Sequence, residues 1–248
     1  MELLIIRHGD PDYEHDTLTE KGIREAKLLA DRLEKMKIDK CYCSPLGRAK
    51  ATASYTLERI GQTAEEADWL HEFRGKVMRK SNYDTIEKER SSWEFMPEFW
   101  ANEEIYYTKD WYKTDVMQSV QREEANPEKQ YKYVIEGFEA LLEKHGYKRE
   151  GGYFKVIHGN HDRIVLFCHY AVGAVLTSYL MGVSPMTFWN NAVALTTSVT
   201  TFVTEEREKG NALFRMMAYG DTGHLYAGGE EPSFAARYCE CYEDDTRH

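Results

Sequence analysis

Two histidines and two arginines in this chain have the types and spacing for covalent chemistry on an anion. Arg7-His8-Gly9 follows directly on the apolar run Leu3-Leu4-Ile5-Ile6, and a second apolar run, Ile164 to Cys168, ends on His169. Short apolar runs bounded by turns read as buried strands. Both histidines then fall at strand ends, where open α/β sheets hold their ligands. Arg7 and Arg48 keep their charge and present planar forks of donors that match a phosphate. The helix start after Ser44 adds backbone N–H groups and a favourable dipole. Phosphoryl transfer needs little more than this positioning and charge cancellation. His8 would attack phosphorus through an unprotonated ring nitrogen and form a phosphohistidine, its other nitrogen held by the backbone near Gly9. His169 would donate to a phosphoryl oxygen, charged against the phosphate.

The elements that must position these groups alternate between strand and helix. Thr19 is a plausible N-cap for a helix with Ile23, Ala26, Leu29, Ala30 and Leu33 on one face. Ile38 to Cys43 reads as a strand. Ser44-Pro45 should then open a helix, with a capping hydroxyl and a proline at its first position. Helical patterns recur at Val134 to His145 and from His169 to Gly182. Tyr153 to Ile157 adds a strand, and Ala192 to Val203 with Ala212 to Ala218 resembles an antiparallel pair turning at Glu208-Lys209-Gly210-Asn211. The expected class is α/β: a mixed, mostly parallel sheet flanked by helices on both faces. Residues 75–127 break the pattern, with Trp93, Phe95, Phe99, Trp100, Tyr106, Tyr107, Trp111 and Tyr112 among many charges. This stretch reads as a mostly helical cap inserted into a single domain spanning 1–248. Its aromatics would build the cap's own core or line a pocket for the leaving group. The acidic tail after Ala227 is expected to fray.

Composition excludes several classes. A net charge of -10 argues against nucleic-acid binding, which needs basic stripes. No apolar stretch is long enough for a membrane span, and a strand reaching a charged motif by Arg7 leaves no room for a signal peptide. A cytoplasmic location follows as an expectation. The five cysteines (Cys41, Cys43, Cys168, Cys239 and Cys241) read as reduced structural thiols, because C-x-C pairs are not the usual zinc knuckle. His158 and His161 could pair on a metal, but no further ligand cluster joins them. No metal and no cofactor are expected, and oligomeric state is not readable. His15, His71, His145 and His224 read as surface or hydrogen-bonding groups.

Arg7-His8-Gly9, Leu18-Thr19-x-x-Gly22, Ser44-Pro45-Leu46-x-Arg48-Ala49, Glu72 before Gly75, the strand ending at His169, and Asp221-Thr222-x-His224-Leu225 resemble the histidine phosphatase superfamily, in its phosphoglycerate mutase-like branch. The resemblance implies a mixed, mostly parallel sheet and a phosphohistidine route. The acid phosphatase and phytase branch places an aspartate after the second histidine, whereas this chain has Tyr170. That leaves Glu72 as the candidate general acid for the leaving alkoxide, its carboxylate then activating water. Glu65, Glu66 and Asp68 read as a solvated face, and His161-Asp162 as a solvated loop. The mutases of the branch carry an asparagine shortly after the first motif, but here the stretch is Asp10-Pro11-Asp12-Tyr13-Glu14. Carboxylates beside a dianion repel it unless they point away. The expectation is a metal-independent phosphatase acting on a small phosphomonoester. A phosphoglycerate mutase-type transferase and a non-catalytic phosphate-binding module are the alternatives.

Overall fold

The computed structural model describes residues 1–81, 84–94, 97 and 103–234. Its centre is an eight-stranded sheet in the order β5-β4-β10-β1-β11-β12-β9-β8. The strands are β1 (Glu2–Arg7), β4 (Lys40–Cys43), β5 (Ala64–Glu66), β8 (Tyr147–Glu150), β9 (Tyr153–Val156), β10 (Arg163–Cys168), β11 (Val199–Glu208) and β12 (Asn211–Asp221). A two-residue pair, β2 (Pro11–Asp12) and β3 (Thr17–Leu18), folds over the end of β1. The helices are α1 (Glu20–Leu33), α2 (Gly47–Ile60), α3 (Pro127–Lys144), α4 (Tyr170–Met181), α5 (Pro185–Asn191) and α6 (Gly223–Ala227).

The sheet is mixed, as expected, but it is not mostly parallel. β5, β4, β10 and β1 pair in parallel, whereas the pairings from β1 through β11, β12 and β9 to β8 are antiparallel. β8 and β9 form a hairpin whose first strand, Tyr-Lys-Arg-Glu, has too little apolar content to announce itself. β1 lies in the middle, and both its faces are covered. Leu3 and Ile5 join a core with Phe138, Ala171 and Val175, while Leu4 and Ile6 join another with Leu29, Leu33 and Ala53. Hence β1 reads as a continuous apolar run. Each such side chain contributes roughly 1.5–3 kcal/mol on burial.

In register, Ile6 pairs with Phe167 and Arg7 with Cys168, so β1 and β10 end side by side and bring His8 and His169 to one edge. α1 begins as expected, with Thr19 Oγ1 accepting from Gly22 N–H at 3.0 Å. Gly22 has a second role: a Cβ there would meet Asp10 O at 2.2 Å, so the chain after His8 packs directly on the first turn of α1.

Three expectations change. α2 begins at Gly47, later than the Ser44-Pro45 signal, with Leu46 as N-cap and no side-chain cap bond. Among described residues, 75–127 is not mostly helical: it holds a hairpin of β6 (Lys76–Ser81) and β7 (Asp84–Ser91), then single 3₁₀ turns at Glu104–Tyr107 and Trp111–Lys113. Charged residues on both strands hide the period of two that would have revealed the hairpin. Phe95, Phe99 and Trp100 lie outside the described residues. The tail does not fray at Ala227, since Glu230 pairs with Lys21 and Arg24, and Ser233 is buried against Glu25. No helix among the described residues is long and apolar enough to cross a membrane.

Candidate active site

His8 leaves β1 with its backbone held on three sides. Its N–H donates to Cys168 O (3.0 Å), its carbonyl accepts from Thr197 N–H (3.2 Å), and the next N–H, that of Gly9, donates to Thr52 Oγ1 (2.9 Å). Nδ1 lies 2.7 Å from Gly9 O. A carbonyl only accepts, so Nδ1 carries the proton and Nε2 carries the lone pair. Burial, then the Arg7 charge, holds the His8 imidazole well below its ordinary 6.5. The buried ring is therefore neutral, with a lone pair on Nε2.

Arg48, in the first turn of α2, donates from Nε to His8 Nε2 at 3.3 Å. Arg7 is buried, anchored through NH1 to Ala194 O (2.7 Å), with its guanidinium 5.3 Å from the Tyr170 ring centroid. Trp93 packs edge-on against Tyr170 at 5.8 Å. The 75–127 segment thus reaches the arginine's supporting ring. Deeper aromatics build a core: Trp111 is 1% exposed and meets Trp189, Tyr112 and Tyr131.

His169 is the N-cap of α4, its ring 5.0 Å from that of His8. Its Nε2 lies 2.7 Å from Ser44 Oγ, which also accepts from Leu46 N–H (3.2 Å). The Ser44 hydroxyl, one donor with two acceptor lone pairs, can serve either tautomer of His169. The ring's Nδ1 is buried and has no partner. Burial and the neighbouring His8, Arg48 and Arg7 hold His169 well below 6.5. Burial is the largest of these effects, and all of them favour the neutral ring.

Glu72 arrives from the loop after the 3₁₀ turn Asp68–Leu70. Its Oε1 accepts from three N–H groups, those of Phe73 (2.8 Å), Ala171 (3.0 Å) and Val172 (3.1 Å), two of them at the start of α4. Burial raises its pKa above 4.5; the N–H donors, Arg7 and Arg48 oppose that rise without cancelling it. With Oε1 saturated, a proton would reside on Oε2. The five residues picked from sequence, Arg7, His8, Arg48, Glu72 and His169, thus converge on one edge of the sheet. The profile of the histidine phosphatase superfamily, branch 1, matches residues 3–215.

The chain belongs to the histidine phosphatase superfamily. That membership carries the hydrolase class the motifs pointed to. No curated protein matches the sequence significantly. Solved structures share the fold. Phosphoserine phosphatase from Entamoeba histolytica, bound to phosphoserine, superposes with a TM-score of 0.55 at 18% identity, covering 90% of this chain and 98% of that one. Alpha-ribazole phosphatase from Shigella flexneri gives 0.55 at 18%, covering 90% and 97%. Mycobacterial glucosyl-3-phosphoglycerate phosphatase gives 0.54 at 15%, covering 88% and 98%.

In this histidine phosphatase the acidic stretch after Gly9 turns away from the anion site. Asp10 accepts from Thr19 Oγ1 (2.6 Å) and from Ser233 Oγ, Asp12 pairs with His15 (2.8 Å), and Glu14 is exposed. Asp16 behaves differently, binding both Arg48 and Gly47 N–H, and nothing in the sequence pattern set it apart from its acidic neighbours. The role of Ser44 against His169 was hidden by its resemblance to a helix cap. Thr197, in the left-handed region at φ 53°, carried no signal at all. Cys41, Cys43 and Cys168 are buried free thiols; burial lifts the first to about 11 and the second to about 12. Cys239 and Cys241 lie outside the described residues. Among the described residues no group of His, Cys, Asp and Glu could hold a metal ion.

Proposed function

We propose that this chain is a metal-independent phosphomonoesterase that hydrolyses a small phosphorylated substrate through a phosphohistidine on His8. The observation that carries the reading is the His8 ring itself: neutral, tautomer set by Gly9 O, and Nε2 facing the Arg48 fork. Arg7 and Arg48 cancel charge on the phosphoryl oxygens, the part a metal ion plays elsewhere, and the His169 ring, 5.0 Å from His8, supplies a further donor. Nε2 attacks phosphorus as the bond to the leaving oxygen breaks, and the leaving oxygen takes the Glu72 proton. Water then attacks the phosphohistidine, Glu72 recovers its proton from that water, and the N–P bond breaks to release inorganic phosphate. The related folds named above are phosphatases for phosphoserine, glucosyl-3-phosphoglycerate and an alpha-ribazole compound, which favours hydrolysis of a small organic phosphate.

The deciding experiment is phosphate release from an aryl phosphate in the presence of a chelator, for the native chain and His8→Ala. Turnover that survives chelation and vanishes in the variant, with acid-labile phosphate trapped on the native protein, supports the reading. Turnover abolished by the chelator alone overturns it. A phosphorylated protein that passes its phosphate to a phosphoglycerate but not to water would make it a mutase.

A further inference from the structure

Asp16 sits in the loop between β2 and β3 with a φ of 47°, in the left-handed region that aspartate tolerates better than most residues. Its backbone is pressed onto the start of α2: a Cβ on Gly47 would meet Asp16 O at 2.1 Å, so only glycine permits the approach. Both carboxylate oxygens are committed. Oδ2 accepts from Gly47 N–H at 2.6 Å and Oδ1 from Arg48 NH1 at 2.7 Å. Tyr13, from the same loop, lays its ring 5.5 Å from the Arg48 guanidinium carbon. A guanidinium is planar, so fixing NH1 and one face also fixes where Nε points. That direction is Nε2 of His8. Leu46, the N-cap of α2, makes no side-chain cap bond, so a residue distant in sequence supplies the anion at this helix start.

We infer that Asp16 is a positioning residue for Arg48 which also weakens the hold on inorganic phosphate, trading ground-state affinity for an oriented donor and easier product release. The inference rests on the phosphatase reading above. A fixed negative charge beside the Arg48 fork repels a bound dianion, while the same contact keeps the fork aligned for the transition state. Removing the charge should therefore move affinity and turnover in opposite directions.

The test compares the native chain with Asp16→Asn and Asp16→Ala, reading kcat on an aryl phosphate and the Kd of inorganic phosphate by calorimetry. Asp16→Asn keeps an oxygen for Gly47 N–H but loses the charge. It should bind phosphate about fivefold tighter while kcat falls about tenfold. Asp16→Ala, with Arg48 NH1 released, should lose more kcat than Asp16→Asn. A purely structural anchor would weaken phosphate binding and turnover together, and that outcome overturns the inference. So does an asparagine variant matching a native chain that binds and hydrolyses normally, which leaves the phosphatase reading intact. A native chain that neither binds phosphate nor turns over overturns both.

Discussion

Nε of Arg48 lies 3.3 Å from Nε2 of His8, so the cationic fork and the imidazole lone pair face one another. On the proposed route a phosphoryl group enters between them, exchanging this contact for one between the fork and its oxygens.

Arg48→Lys keeps the charge but loses the planar fork. We expect kcat/KM to fall about 10²–10³-fold, the usual cost of removing one aligned donor from a transition state. Loss below about threefold would show that Arg48 supplies only a diffuse positive field.

The proposed route predicts a bell-shaped rate profile, with Glu72 setting its alkaline limb and His8 its acid limb. Glu72 must be protonated for the first step, and its pKa is raised, so activity falls as pH rises past that value. His8 must be unprotonated, and its pKa is lowered, so activity survives acidification until pH drops below that lowered value. Glu72→Gln should cost roughly 10²–10⁴-fold and flatten the alkaline limb of the kcat/KM profile. An unchanged alkaline limb in this variant would assign the acid to another group.

Buried Glu25 ties the first motif to the end of the described chain. Oε2 accepts from Asp10 N–H at 2.8 Å, and Oε1 accepts from Thr196 Oγ1 (2.8 Å) and Ser233 N–H (3.0 Å). Glu25→Gln keeps one acceptor oxygen but turns an NH₂ group against the donors on the other side, at a cost of about 1–3 kcal/mol for unmet bonds. Denaturant unfolding should show that loss together with reduced turnover, because the chain after His8 loosens. Stability within about 0.5 kcal/mol of the native value would mean that the carboxylate holds nothing essential.

Stability should fall with acid through His224, whose Nε2 lies 3.1 Å from Thr197 Oγ1. Burial lowers its pKa from 6.5 to about 4. The unfolded chain therefore binds the extra proton first. Stability is complete above pH 6.5 and declines as pH falls toward 4, by about 3 kcal/mol from this group. His224→Gln should remove that portion of the slope in unfolding curves taken between pH 7 and 4.

Much of the site was legible because its groups sit beside strong local signals. His8 and His169 follow buried apolar strands, and Arg48 rides a small-residue helix; hydrophobic period and turn residues locate such positions without tertiary information. The hairpin β6 to β7 escaped because both strands are rich in charge, and the mostly parallel expectation failed because nearest-neighbour pairing is not written in strand composition. α2 starts later than its Ser-Pro signal, and the Ser44 hydroxyl also meets His169, a partner 125 residues away that local sequence does not reveal.

By itself the sequence picked out the residues that meet at the candidate site: an apolar strand must end where its polar residues begin, and few side chains can bind a phosphate and attack it. Tertiary structure alone decided their states. Register between β1 and β10 set the distance between the two histidines, and burial made both neutral. Only the folded chain could turn Asp10, Asp12 and Glu14 away while seating Asp16 on Arg48. The direction of a carboxylate depends on donors brought from elsewhere in the chain, and local sequence does not encode them.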